Sequence, residues 1–101
     1  MDKETIKTRL RDALKDDPHA ADVKSAAVFG SCIHGRPEEA RDIDVLIDFL
    51  PSAVIGFFEL AQIQRHLSER VGRPVDLLTP DALSRHFRDE VLKEAECFYE
   101  G

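Results

Sequence analysis

The sequence predicts a small α/β (α+β) unit, a short mixed sheet with amphipathic helices packed on it. Three observations carry that prediction. Apolar residues recur three or four apart near both ends and in the middle of the chain, the spacing of one-faced helices. Between those segments, residues 42–49 alternate with period two, and 24–29 and 74–78 are short apolar runs bounded by glycine or proline. The resulting order is helix, strand, turn segment, strand, helix, strand, helix, with no repeat or low-complexity linker to separate one part from another.

Each element has its own signal. Ile6, Leu10 and Leu14 stand four apart among charges over residues 3–16, and Pro18 ends that helix. Residues 24–29 (KSAAVF) form a buried strand closed by Gly30. In 42–49, Asp42, Asp44, Leu46 and Asp48 share one face while Ile43, Val45, Ile47 and Phe49 share the other. Pro51 and Ser52 break the alternation, and Leu60, Ile63, Leu67 and Val71 then mark a helix, with Phe57 one turn earlier. Phe57 and Phe58 are expected in the core, and Gly72 is placed to stop the helix. Residues 74–78 (PVDLL) make a third strand that carries Asp76. Thr79-Pro80 reads as an N-cap with proline at the first helical position. The helix it opens has Leu83, Phe87, Val91 and Ala95 as its buried stripe, and Lys93, Glu94, Glu96 and Glu100 as its solvated face.

Composition narrows the function. With 101 residues, 43% hydrophobic and 34% charged, the chain has the balance of one globular domain, residues 1–101. The net charge is −6, and both halves are acidic: eight cations to eleven anions before residue 51, six to nine after it. No basic region is available to bind nucleic acid on electrostatics alone, so direct nucleic-acid binding is not expected. No apolar run approaches a membrane span and the charged start has no signal-peptide core, so no membrane association and a cytoplasmic location are expected. Two cysteines make no disulfide framework.

The chemistry concentrates in the centre. Gly30 lets an anion approach the backbone closely, and a helical start over 31–35 would aim free N–H groups and the Ser31 hydroxyl at a phosphate. Taken alone, Gly-Ser after a strand also reads as a plain turn. Asp42 and Asp44 project from one strand face, and Asp76 sits between Val75 and Leu77, where a β-branched residue is usual. Three carboxylates gathered at one centre repel by about 3 kcal/mol per pair at ~5 Å and an effective dielectric of ~20, so they either bind protons or recruit hard cations, Mg²⁺ above all. The alternative for Asp42 and Asp44 is a solvated strand face, and for Asp76 an edge-strand acid.

Gly30-Ser31, ten residues and Asp42-Ile43-Asp44 together resemble the signature of the DNA-polymerase-β-like nucleotidyltransferases. Gly35 and residues 74–83 (PVDLLTPDAL) are similar to its minimal nucleotidyltransferase branch, MNT, over nearly the whole chain. The resemblance implies a three-stranded mixed sheet flanked by helices. It also implies transfer of a nucleoside monophosphate, commonly AMP from ATP, onto a tyrosine of a HEPN-domain (HepT-like) ribonuclease toxin for which the protein is the antitoxin. By position, Asp42 and Asp44 would hold two Mg²⁺ ions, Asp76 would complete the metal site and help activate the attacking hydroxyl, and Gly30 and Ser31 would bind the β and γ phosphates.

The chain departs from the family pattern at three places. Cys32 and His34 stand where arginines are common, and Arg41 stands where serine often precedes the Asp-x-Asp. Arg36 and His34 are further candidate phosphate contacts. Two other functions follow as alternatives: a catalytically weak or inactive antitoxin that neutralises its toxin by binding, and a small-molecule nucleotidyltransferase, which generally needs a second domain for its acceptor. His19, His66 and His86 lack metal-ligand spacing and are expected at the surface or partly buried.

Overall fold

The computed structural model describes residues 1–30 and 41–101. Helix α1 (Lys3–Lys15) begins at Asp2, whose carboxylate accepts the Thr5 N–H at 2.8 Å. It buries Ile6, Leu10, Ala13 and Leu14 completely, the stripe its spacing predicts. A short 3₁₀ turn (Ala20–Asp22) leads into β1 (Val23–Phe29); β2 (Ile43–Phe49) follows. Helix α2 (Phe57–Val71) is capped at its start by Glu59, which accepts the Gly56 N–H at 3.0 Å. It ends at Gly72, whose φ of 83° is the left-handed conformation that closes helices.

Strand β3 (Val75–Leu78) then pairs with β2 in parallel, while β1 pairs antiparallel with β2. The alternation of β2 is realised in two cores. Ile43, Val45 and Ile47 face α1 and α2, within a cluster that includes Ile6, Leu10, Ile63, Leu67 and Phe98. Leu46 faces the other way and meets Phe29 and Leu83. Asp44 shares the side of Leu46, so it lies on the sheet face away from α1 and α2.

The C-terminal third differs from expectation. Thr79-Pro80 opens only one 3₁₀ turn (Pro80–Ala82), because Leu83 takes an extended conformation (φ −79°, ψ 140°) and breaks the run. Helix α3 (Arg85–Glu94) starts instead from Ser84, whose side chain accepts the His86 N–H at 3.3 Å. Leu83 is buried and Val91 and Ala95 pack against its cluster, but Phe87 is 54% exposed. The chain then forms a further strand, β4 (Glu96–Glu100), antiparallel to β1, so among the described residues the sheet has four strands in the order β3-β2-β1-β4 rather than three.

Helical spacing had absorbed β4, since its glutamates extend the polar face of α3. Glu96 is no helix residue: it is partly buried and meets Lys3 Nζ at 2.9 Å and Lys7 Nζ at 3.5 Å. Arg11 Nε donates to the Phe98 carbonyl at 2.8 Å. Three cations of α1 thus tie the last strand to the first helix. Phe57 and Phe58 correct a second expectation, being 83% and 81% exposed. They precede the stripe that α2 turns inward at Ile63, Leu67 and Val71, and their side chains stay in solvent.

A buried carboxylate joins the end of α1 to α2. Asp17 is buried; its Oδ1 accepts the His19 backbone N–H and its Oδ2 lies 2.8 Å from His66 Nδ1 on α2. His66 is therefore partly buried, as its context suggested. Asp17→Ala is expected to cost about 1 kcal/mol, because it removes the shared acceptor of two partly buried donors. A lower urea midpoint with an unchanged slope is the check.

Candidate active site

The two sheet pairings bring the predicted acids together. In the antiparallel pair Phe29 stands opposite Asp44, and in the parallel pair Asp44 stands opposite Asp76. The end of β1 and the starts of β2 and β3 thus meet at one edge of the sheet. Pairing begins one residue earlier, where the Ile43 N–H donates to the Pro74 carbonyl at 2.9 Å. Asp42 lies immediately before β2, exposed, and Asp76 is exposed on β3, while Asp44 between them is partly buried.

Electrostatics mark Asp44 as the centre. Its carboxyl is pushed above the ordinary carboxylate range, first by burial, then by the negative charges of Asp76 and Asp42. The negative charges of its two neighbours thus add to the cost of ionising Asp44. The solvated-face alternative does not describe Asp44, although Asp42 and Asp76 do face water.

Gly30 has a role that its sequence context only half suggested. Its φ is 72°, and a Cβ built there would collide with Asp44 Oδ2. The absence of a side chain therefore makes room for the Asp44 carboxylate itself, in addition to any approach of a phosphate. Ser31, Cys32, His34, Gly35 and Arg36 lie outside the described residues.

Sequence reading did not single out Gln64 and Ser68 on α2. Both hydrogen-bond to the backbone of β3 beside Asp76. Their i, i+4 spacing was visible, but polar residues on a helix flank give no sign of which strand they will meet.

The donor set fits magnesium. Its oxygens are hard and anionic, and a cation would relieve the repulsion that raises Asp44. Among the described residues no three ligating side chains already close on one point. The carboxylates form an open rim, the arrangement suited to an ion that keeps water or substrate oxygens among its ligands. A cleft of about 430 Å³ lined by Asp17, His19, Arg65 and His66 lies on the helical side of the sheet, away from this rim.

Comparison with known proteins gives the family of the chain. The family profile described as "Polymerase beta, Nucleotidyltransferase" matches residues 8–101. The protein adenylyltransferase MntA of Thermococcus cleftensis is 35% identical over 74 residues, 71% of this chain and 71% of that protein. A candidate protein adenylyltransferase of Methanocaldococcus jannaschii is 33% identical over 89 residues, 88% of this chain and 89% of its own length. Among solved structures, a candidate minimal nucleotidyltransferase superposes with a TM-score of 0.73 at 28% identity, covering 94% of both chains. The fold is also that of a chain in the structure of a tri-AMPylated Shewanella oneidensis HEPN toxin with its MNT antitoxin, with a TM-score of 0.66 at 15% identity, over 98% of this chain and 73% of that one. The carboxylate rim at the meeting of β1, β2 and β3 is thus set in a chain that belongs to the polymerase-β nucleotidyltransferase family.

Proposed function

We propose that the protein is a Mg²⁺-dependent adenylyltransferase that moves AMP from ATP to a hydroxyl, a tyrosine of a cognate HEPN-type toxin, and so acts as its antitoxin in the cytoplasm. The observation that carries this reading is the pairing of Asp44 with Asp76 across β2 and β3, with Gly30 directly beside the Asp44 carboxylate. The relatives named as protein adenylyltransferases and the AMPylated-toxin complex support the choice of AMP and of a protein acceptor. Among the described residues no helix is long and apolar enough to cross a membrane. Residues 1–101 act as a single catalytic unit.

In this reading Asp42, Asp44 and Asp76 would hold two magnesium ions, and Gly30 and Ser31 would receive the β and γ phosphates. Bound magnesium supplies positive charge to the oxygens around the α-phosphorus. The acceptor oxygen forms a bond to that phosphorus as the bond to the bridging β-phosphate oxygen breaks, and pyrophosphate leaves. Asp76, the most exposed of the paired acids, accepts the hydroxyl proton. Asp44, fixed by two neighbouring strands, orients the site; little beyond positioning and charge is needed for such a transfer.

The test is to mix the protein with its toxin, ATP and Mg²⁺ and to weigh the intact toxin. One or more added adenylyl masses with wild type, and none with Asp44→Asn, is the expected result. An unshifted toxin with wild type overturns the catalytic reading. Protection of cells by an Asp42→Asn/Asp44→Asn variant equal to wild type would instead establish neutralisation by binding.

A further inference from the structure

We infer that Gln64 and Ser68 are positioning residues for Asp76, acting as a side-chain clamp that holds β3 in register against β2. The inference rests on the nucleotidyl-transfer reading above and assigns two residues outside the carboxylate rim to it. Strand β3 is four residues long and, among the described residues, lies at the edge of the sheet with no strand on its outer side. Edge N–H groups left bare would fray or recruit another chain. Here the Val75 N–H donates to Ser68 Oγ at 2.9 Å and the Leu77 N–H to Gln64 Oε1 at 3.0 Å. These are the two residues on either side of Asp76, and strand alternation sends both their N–H groups outward while that of Asp76 faces β2.

The clamp is built, not incidental. Ser68 Oγ donates its own proton to the Gln64 carbonyl at 2.8 Å, which fixes the hydroxyl so that its lone pair meets the Val75 N–H. Gln64 and Ser68 are four apart and therefore on one side of α2. That helix is itself anchored by Ile63, Leu67 and Val71, all fully or almost fully buried next to the two clamping residues. Asp76 itself is exposed on the strand. Its place opposite Asp44 is set by backbone, from β2 on one side and from the clamp on the other.

The variants are Gln64→Leu, which removes the acceptor at similar size, and Gln64→Glu, which retains an acceptor oxygen. Gln64→Leu is expected to lower kcat for adenylyl transfer about tenfold with KM for ATP unchanged, the loss of one hydrogen bond at a placed group. Gln64→Glu is expected to recover most of that loss. Amide hydrogen exchange supplies a readout without activity: in Gln64→Leu, exchange should quicken about tenfold at Asp76 as well as at Leu77, with α1 and β1 unchanged. Exchange raised equally across the sheet, or an Asp76 amide and kcat both at wild-type values, overturns the clamp. Absence of transfer by wild type overturns the enzymatic reading and the clamp's catalytic purpose together, a result distinct from loss in the variants alone.

Discussion

Asp44→Asn is expected to abolish nucleotidyl transfer, by about a thousandfold or more, while making the metal-free protein more stable. The two effects have one cause. Asp44 stands opposite Asp76 in the sheet and feels the charges of both Asp76 and Asp42, so its removal takes away the central donor of the three. The same placement raises its carboxyl above the ordinary value of 3.8. A carboxyl raised on folding binds its proton more tightly in the folded state. Its contribution to stability is therefore complete below pH 3.8 and is lost as pH rises through the raised value. The higher the pH, the more of this repulsion the wild-type protein bears, whereas the amide bears none of it. Because Asp44 is partly exposed, the gain is discounted for screening to somewhat under 1 kcal/mol, or about 3 °C in a domain this small. Thermal melts in chelator, at pH 4 and pH 7.5, would measure it. The difference between variant and wild type should be larger at pH 7.5, and added Mg²⁺ should stabilise wild type alone. A variant less stable than wild type at pH 7.5 would contradict the repulsion.

Gly30→Ala is expected to damage both fold and activity, and Gly72→Ala serves as its control. Both glycines have positive φ, 72° and 83°, so alanine is strained by about 1–2 kcal/mol at either. Beyond that strain they differ. A Cβ at Gly72 meets nothing within 4 Å, while one at Gly30 strikes the Asp44 carboxylate. Gly72→Ala should lower the melting temperature by several degrees and leave transfer intact. Gly30→Ala should lower it at least as much and reduce transfer a hundredfold or more, because the carboxylate has to move. Equal activity in the two variants would show that Gly30 serves only as a turn.

How much of this was legible in the sequence depends on which interaction fixed each residue. Helices α1 and α2 and strand β2 were readable because a continuous apolar face imposes a period, and Ile6, Leu10 and Leu14 or Ile43, Val45 and Ile47 show it directly. Asp76 could be named because a carboxylate stands where a strand ordinarily places a β-branched side chain, and Asp42 and Asp44 because their spacing from Gly30-Ser31 matches the family signature. The end of the chain was harder. Glu96 and Glu100 continue the spacing of α3, and local pattern alone favours extending the helix. What makes that segment a strand is the free edge of β1 and the three cations of α1 that meet Glu96 and the Phe98 carbonyl. Those contacts join residues some ninety positions apart, and no local window contains them.

The exposed phenylalanines show the opposite failure. Phe57 has the right residue type and nearly the right spacing to continue the buried stripe of α2, yet the helix begins there, beyond the reach of the sheet. Burial depends on what lies opposite, and the sequence does not say where the opposing layer stops.

For the site, the sequence by itself determined the chemistry: three carboxylates, a glycine after a strand, and the spacing that marks the family. Only the tertiary structure decided the arrangement. Strand pairing set Asp76 opposite Asp44, backbone conformation put the bare Cα of Gly30 beside the carboxylate, and α2 supplied Gln64 and Ser68 to the edge of β3. The division has a physical reason. Charge and hydrogen-bonding capacity belong to a residue wherever it stands, but repulsion, burial and register belong to pairs, and the partners are chosen when the chain folds.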